Sequence, residues 1–210
     1  MRDVAARPCH IPPMCNRYRM TAKQAELARR FGVEPPYAED VTVPPPELFP
    51  KRMAWVVRMD EGRRVLDTMR WGVPLTVKGA KGQPIVKQVT NVRNLSSPFW
   101  KSTIAKADFR CLVPVSDFCE WEGETGAKQE RWFSVPSRPI FAFAGVWRPG
   151  PEGKAFAFLT CDANELVKPI HAKAMPVILH DEDHEGWLSG EYDSVCALAS
   201  PYPSQLMAVG

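Results

Sequence analysis

No pair of the six cysteines in this 210-residue chain is spaced as CxxC, and none stands at metal-ligand spacing from the four histidines. Zinc ribbons, zinc fingers and thioredoxin-type redox motifs are therefore excluded. No apolar run approaches the roughly 20 residues that a membrane-crossing helix needs. The first 13 residues also lack the apolar stretch of a secretory signal. A reducing cytoplasm is the expected setting, because oxidation would consume a working thiol. Positive charge is missing from the end of the chain: all 27 Lys and Arg lie at or before Lys173. Six acids follow it, namely Asp181, Glu182, Asp183, Glu185, Glu191 and Asp193. A basic body with an acidic tail segment fits a polyanion-binding face, and equally an ordinary solvated surface. Repeats and linker-like stretches are absent too, so one domain is expected.

What is abundant is proline, 21 residues, about twice the average usage. Prolines bound strands and set loops, which argues for short strands with irregular connections over a helical bundle. Thr21 to Gly32 reads as a helix, with Thr21 and Gln24 at capping-box spacing, an Ala25/Ala28/Phe31 stripe, and Gly32 as its stop. Val43-Pro44-Pro45-Pro46 is too proline-rich for regular structure. Met53–Met59 and Arg64–Arg70 read as a hairpin around Asp60-Glu61-Gly62, and residues 75–88 as a mobile basic loop. Strands are expected at Phe109–Pro114, Arg131–Val135, Ile140–Trp147, Ala155–Cys161 and Met175–Leu179. Asp162 is placed to cap a short helix through Leu166, and His180–Leu188 reads as a short acidic helix. The sum is a single α+β domain with a strand-rich core.

The stretch Met14-Cys15-Asn16-Arg17-Tyr18 carries the most specific chemistry. Residues 1–14 are expected to be a leader that is removed, or upstream sequence that is not translated, leaving 15–210 as the domain. Cys15 would then present a thiol and a free α-amine on adjacent carbons. Such an aminothiol can condense with an aldehyde to an imine and close a thiazolidine ring on the same carbon. An α-amine has an unperturbed pKa near about 8 and a thiol near about 8.5, so both nucleophiles are partly available at neutral pH. The alternative for Cys15 is a small buried hydrophobe, the usual state of a free cysteine.

Three further clusters bear on the choice. Asn91-Val92-Arg93-Asn94 combines an amide that can orient an amine or carbonyl with a planar fork suited to phosphate; as an isolated residue Asn91 reads first as a turn. In Arg110-Cys111-Leu112-Val113-Pro114 through Glu120-Trp121, the acid is flanked by Phe118, Cys119 and Trp121. That setting raises a carboxyl pKa toward acid–base use, whereas a glutamate paired with an arginine at a strand end is the plainer reading. His171 leads into an apolar strand, where a histidine either shuttles protons near neutral pH or serves a structural role.

Together these clusters carry a resemblance. The order Met14-Cys15-x-Arg17-Tyr18, Trp71-Gly72-Val73-Pro74, Asn91-x-Arg93, Arg110-Cys111-Leu112-Val113-Pro114 with Glu120-Trp121, Phe143-Ala144-Gly145-Val146-Trp147, and His171 ahead of Met175-Pro176-Val177-Ile178-Leu179 resembles the SOS response-associated peptidase (SRAP) family. It covers Met14 to about Leu188. The pattern departs from the family at Asn16, where glycine is usual, and at Cys119, where an aromatic is common. It also departs in the spacing from His171 to Met175 and at Leu75-Thr76-Val77-Lys78, where further aromatics often stand. The resemblance implies a barrel-like mixed sheet core with a few short peripheral helices. It implies a monomer that works without a metal or other cofactor, on single-stranded DNA containing abasic sites. Cys15 would form a thiazolidine DNA–protein cross-link, a lyase-like activity, with possible self-removal of the leader as a thiol peptidase. Asn91 would hold the reacting amine or sugar oxygen, Glu120 would act as general acid–base, and His171 would assist proton transfer and reversal. Arg17 and Arg93 would hold phosphates, and Trp71 would offer a stacking surface for a base. Two other functions are compatible with the same residues: a thiol peptidase acting on other proteins, and a non-covalent single-stranded DNA-binding module.

Overall fold

The chain reverses sharply at Glu61-Gly62, where both residues take positive φ (47° and 78°) and join Asp60 to Arg63 as paired strand ends. A two-residue loop of this hand matches the right-handed twist of its flanking strands, and glycine at its second position avoids a Cβ clash. The expected hairpin is therefore present. In the computed structural model, residues 15–34, 43–124 and 126–210 are described; the leader expectation falls outside them. In chain order the elements are β1 (Tyr18–Arg19), α1 (Gln24–Phe31), β2 (Glu47–Leu48), β3 (Met53–Asp60), β4 (Arg63–Trp71), β5 (Val73–Lys78), β6 (Pro84–Val89) and β7 (Asn91–Val92). They continue with α2 (Pro98–Ile104), β8 (Arg110–Val115), β9 (Asp117–Glu122), β10 (Gln129–Ser134), β11 (Phe141–Gly150) and β12 (Gly153–Cys161). The last are β13 (Met175–Pro176), β14 (Ile178–Leu179), α3 (Asp183–Ser189), α4 (Tyr192–Ala197) and β15 (Ala208–Val209).

Strands β12, β4, β3, β8 and β11 pair in that order, and β11 pairs back onto β12, closing a five-stranded barrel. Every pairing among these five strands is antiparallel except β12–β4, which is parallel over Ala155↔Arg70 and Phe156↔Trp71. Closure removes the open edges that a flat sheet of these strands would present. The fold is thus α+β with a mixed, barrel-like core, as expected. A second sheet, in the order β15-β10-β9-β1-β2, packs against the barrel. The contact is aromatic. Tyr18 of β1 sends its ring within 5.1 Å of Trp71, 6.1 Å of Phe143 and 6.4 Å of Phe158, and Phe118 of β9 lies 5.8 Å from Phe143. All five side chains are fully buried, each contributing on the order of 2–3 kcal/mol through burial.

Several expectations are corrected. Residues 75–88 belong to a hairpin, β5–β6, running in register from Val73↔Val89 to Lys78↔Pro84. Alternation of Val73, Leu75 and Val77 with polar neighbours supplies a strand pattern, and the Gly79 N–H donates to the Gln83 carbonyl (2.7 Å) to close the tip. Helix α1 ends at Gly32 in the left-handed region (φ 64°), as expected, but starts later than Thr21. Thr21 gives its N–H to Ser116 Oγ (3.1 Å), so it ties the chain to the end of β8 and does not cap the helix. Asp162 caps nothing: Asn164 Oδ1 accepts the N–H groups of Leu166 and Val167 (3.1 and 3.0 Å), and turns follow where a helix was expected. The strand expected over Met175–Leu179 is broken at Val177. Its N–H donates to Leu159 and its carbonyl accepts from Ala144, so it bridges β12 and β11. The two-residue strands β1, β2, β7 and β15 carry no periodicity to read, and exist because a neighbouring strand supplies their partners.

Gly145 sits where β11 passes between β8 and β12, opposite Cys111 and Phe158. A Cβ there would stand 2.7 Å from Val113 Cγ2 and 2.8 Å from Cys111 Sγ. Because both neighbours are fully buried, Gly145→Ala is expected to destabilise the barrel by about 1–3 kcal/mol in urea unfolding. Gly126→Ala, with nothing within 4 Å of its Cβ but a positive φ (99°), is expected to cost less, about 1 kcal/mol.

Candidate active site

The site lies where the second sheet meets the barrel rim, and strand alternation puts its acid there. Phe118 points into the core between the sheets, so Glu120, two residues on, faces the same way. It is only 3% exposed. Burial pushes the Glu120 carboxyl up to about 8; the Cys15 backbone N–H donates to it and pulls weakly the other way. Glu120 is therefore protonated at neutral pH, with its Oε1 lacking a hydrogen-bond donor among the described residues.

Cys15 precedes β1, which is held between β2 and β9 through Tyr18↔Leu48 and Tyr18↔Phe118. The Cys119 N–H donates to the Arg17 carbonyl (2.9 Å) and extends that ladder toward Cys15. Cys15 is buried, and desolvation, reinforced by the nearby Glu120, drives its thiol well above the ordinary range. Asn91 reaches it from the barrel side: its Nδ2 donates to the Cys15 carbonyl (3.3 Å) and to Thr90 Oγ1 (3.0 Å). Parallel pairing of β7 with β12, Asn91 opposite Phe158, sets its position. His171 follows the turns after Asn164, and its Nδ1 lies 2.9 Å from the Ala174 carbonyl. A carbonyl can only accept, so Nδ1 carries the proton and Nε2 of the neutral ring keeps its lone pair. His171 and Glu120 both line a cleft of about 580 Å³, together with Asn16, Trp121, Lys128 and Ile170.

Of the sequence-predicted residues, Glu120 and His171 thus line one cleft, while Cys15 and Asn91 join it indirectly, Cys15 through its backbone N–H to Glu120 and Asn91 through its hydrogen bond to the Cys15 carbonyl. The other three are placed differently. Trp71 is fully buried: on β4 it alternates inward with Met69, and its ring lies 5.3 Å from Phe158. It offers no surface to a base. Its indole N–H donates instead to the Thr90 carbonyl (3.1 Å), which also accepts from Phe158 N–H, so Trp71 anchors the residue before Asn91. Arg17 is an ion-paired staple, not an open fork. It gives Nε to Glu47 and Nη1 to Glu130, and stacks 5.0 Å from the Trp132 ring and 5.4 Å from Phe49. Arg93 is exposed and pairs with Asp162. Among the described residues, no three His, Cys, Asp or Glu side chains converge as a metal site.

With this geometry in place, comparison with known proteins is decisive. Residues 14–210 match the family model for SOS response associated peptidase (SRAP). The chain belongs to the SRAP family. Among similar SRAP-type relatives, an abasic site processing protein of Bacillus subtilis, YoqW, is 27% identical over 205 residues, covering 92% of this chain and 90% of that one. A second, HMCES of Gallus gallus, also named an abasic site processing protein, is 30% identical over 158 residues, 61% of this chain and 46% of that one. A crystal structure from Bacteroides thetaiotaomicron superposes with a TM-score of 0.75 at 22% identity, covering 93% of this chain and 90% of that one. One from Bordetella bronchiseptica gives 0.72 at 22%. Both establish that the barrel is shared.

Sequence reasoning missed Thr90, which positions Asn91, and the pair Glu47 and Glu130, which hold Arg17. Nothing local marks the two acids, because their partner is 30 and 113 residues away.

The buried carboxyl has a measurable signature in the full-length chain. Its folded pKa, about 8, exceeds the unfolded value of about 4.3, so the folded state binds its proton more tightly. Stability from the neutral carboxyl is fully present below the unfolded pKa and is lost as pH rises toward the folded one. Glu120→Gln removes that loss. Urea unfolding is expected to find the variant equal to the parent near pH 4 and more stable at pH 8, by on the order of a few kcal/mol.

Proposed function

We propose that this SRAP protein captures abasic sites in single-stranded DNA as a covalent cross-link through an N-terminal Cys15. The observation that carries the reading is the contact between the Cys15 backbone nitrogen and the buried Glu120 carboxyl. Once residues 1–14 are absent, that nitrogen is the α-amine, with an acid–base group already against it. An ammonium beside a carboxylate and an amine beside a carboxylic acid differ by one proton transfer. Burial disfavours the charged pair, so the neutral, nucleophilic amine is the accessible form.

The chemistry runs in order from these placements. A ring-opened abasic sugar presents an aldehyde at C1′. The Cys15 amine adds to it, giving a carbinolamine. Glu120 donates its proton to the departing hydroxyl, water leaves, and the resulting iminium nitrogen returns a proton to the Glu120 carboxylate as the imine forms. Burial keeps the Cys15 thiol protonated, so it follows the amine. The sulfur then bonds to the same carbon while its proton passes to the nitrogen. The product is a thiazolidine, with one water lost overall. Asn91 holds the Cys15 backbone from the barrel side. His171, with Nε2 free to accept, takes the hydroxyl proton as the sugar ring opens and returns it on reversal. Removal of the leader, where it is translated, falls to the same groups: Glu120 lies at the nitrogen that leaves when the bond before Cys15 is cut. The names of the relatives agree with this substrate class.

Incubating the form that begins at Cys15 with single-stranded DNA bearing an abasic site is expected to give a heat-stable adduct on a denaturing gel. Cys15→Ser is expected to abolish the stable product, and Glu120→Gln to slow its formation by about 100-fold or more. Protein retaining residues 1–14, with its amine acylated, is expected to give none. Undiminished yield from Cys15→Ser overturns the thiazolidine. Equal, salt-sensitive binding of intact and abasic strands without any covalent product assigns the protein to non-covalent binding instead.

A further inference from the structure

Asn16, the residue after Cys15, lines the cleft shared by Glu120 and His171. Strand pairing puts it there. Tyr18 lies opposite Phe118, and the Cys119 N–H donates to the Arg17 carbonyl (2.9 Å), so the same register brings Asn16 level with Glu120. Tyr18, Phe118 and Glu120 face the barrel, and alternation turns Asn16 to that side as well. Side chains directly opposite each other in an antiparallel pair have Cβ atoms about 4.5–5.5 Å apart. Two uncommitted polar groups therefore stand side by side in the cleft wall. The Asn16 side chain makes no hydrogen bond with the described residues, and Glu120 Oε1 lacks a donor among them. Glu120 is 3% exposed, whereas Asn16 is half-buried at the cleft. Asn16 is also a position where the chain departs from the glycine usual in the family.

We infer that Asn16 is a further catalytic residue of abasic-site capture: its carboxamide and the Glu120 carboxyl hold, from two sides, the hydroxyl that leaves the carbinolamine as water. The inference rests on the abasic-site reading and deepens it by giving the leaving group a seat. A hydroxyl suits this pair because it has one hydrogen to donate and lone pairs to accept with. Its hydrogen goes to Asn16 Oδ1, and its oxygen accepts the Glu120 proton. The bond from C1′ to that oxygen breaks, the nitrogen lone pair forms the C=N bond, and water departs. The iminium nitrogen then returns its proton to the Glu120 carboxylate, so the acid ends as it began. Asn16 neither gains nor loses a proton. It fixes the orientation of the departing oxygen against the acid, which is a positional gain. An amide suits the task because it stays neutral while Glu120 titrates. A second carboxyl in its place would compete with Glu120 for the proton. The same seat serves the reverse step, in which water held between the two groups adds to the imine.

The test uses the form that begins at Cys15, in excess over a single strand bearing one abasic site. Asn16→Gly removes the amide, and Asn16→Leu replaces it by an apolar side chain of similar shape. Both are expected to lower the saturating rate of adduct formation about tenfold, the worth of one hydrogen bond to the transition state. The protein concentration at half-saturation and the urea unfolding midpoint are expected to stay close to the parent's. In a Cys15→Ser background, cyanoborohydride reduces the imine to a stable amine, and the same loss is expected in the trapping rate. That readout places the effect before sulfur closes the ring. Parent-like rates in Asn16→Gly overturn the assignment. So does a parent-like rate in Asn16→Leu, which makes Asn16 a spacer, and so does a loss confined to half-saturation, which makes it a strand contact. Adduct formation by the parent separates the two readings. An intact parent adduct with indifferent Asn16 variants sinks only the role of Asn16, whereas no adduct from the parent sinks the capture reading and that role with it.

Discussion

The meeting of the Glu120 carboxyl with the backbone nitrogen of Cys15 is the contact on which the site depends. It puts a titratable group out of water, 3% exposed, and leaves its Oε1 without a donor among the described residues. A purely structural design would replace it by a neutral side chain, since burial of a carboxyl costs stability at any pH where its charge is wanted. The fold keeps the acid and surrounds it with well-packed aromatics. Tyr18, on the strand that follows Cys15, and Phe118, on the strand that carries Glu120, are both fully buried against the barrel. The rigidity of that packing is what brings the Cys15 backbone and a buried acid together.

Holding the segment from Cys15 to Arg19 in place is a specific mechanical problem, because short irregular segments move unless their backbone is paired. Here β1 is only two residues long, yet it is flanked on both sides. Arg17 adds ion pairs to Glu47 of β2 and to Glu130 of β10, reaching across the sheet in both directions. From the barrel side, Trp71 fixes Thr90, and Thr90 fixes Asn91. Arg17 and Trp71, expected from the motifs to contact DNA, thus brace the backbone around Cys15 and Asn91. For Arg17 the trade is physical: a guanidinium between two carboxylates is not open to phosphate without breaking those pairs.

Much of this was legible along the chain. The hairpin at Asp60-Glu61-Gly62 follows from turn chemistry, the end of α1 from Gly32, and the long barrel strands from their apolar runs. The raised carboxyl of Glu120 follows from its flanking Phe118, Cys119 and Trp121. What was misread had a hidden partner. The partners of Thr21 and Asp162 are distant in sequence, and the glycine-rich tip at residues 79–82 hides the pairing of its two flanks. Thr21 meets Ser116, Asp162 meets Arg93, and β5 meets β6 across a glycine-rich tip that reads as a loop.

The sequence by itself determined which chemical groups exist: an aminothiol in waiting at Cys15, an acid in apolar company, an amide, and a histidine before an apolar strand. Ordered motifs along most of the chain also determined the family. Only the tertiary structure decided which of these groups share a cleft and which face elsewhere. Strand alternation and barrel closure turn Trp71 inward, aim Glu120 at the nitrogen of Cys15, and set Arg17 between two acids. Those outcomes depend on pairings between residues tens of positions apart, and such pairings follow from packing the whole chain at once, not from any local stretch of it.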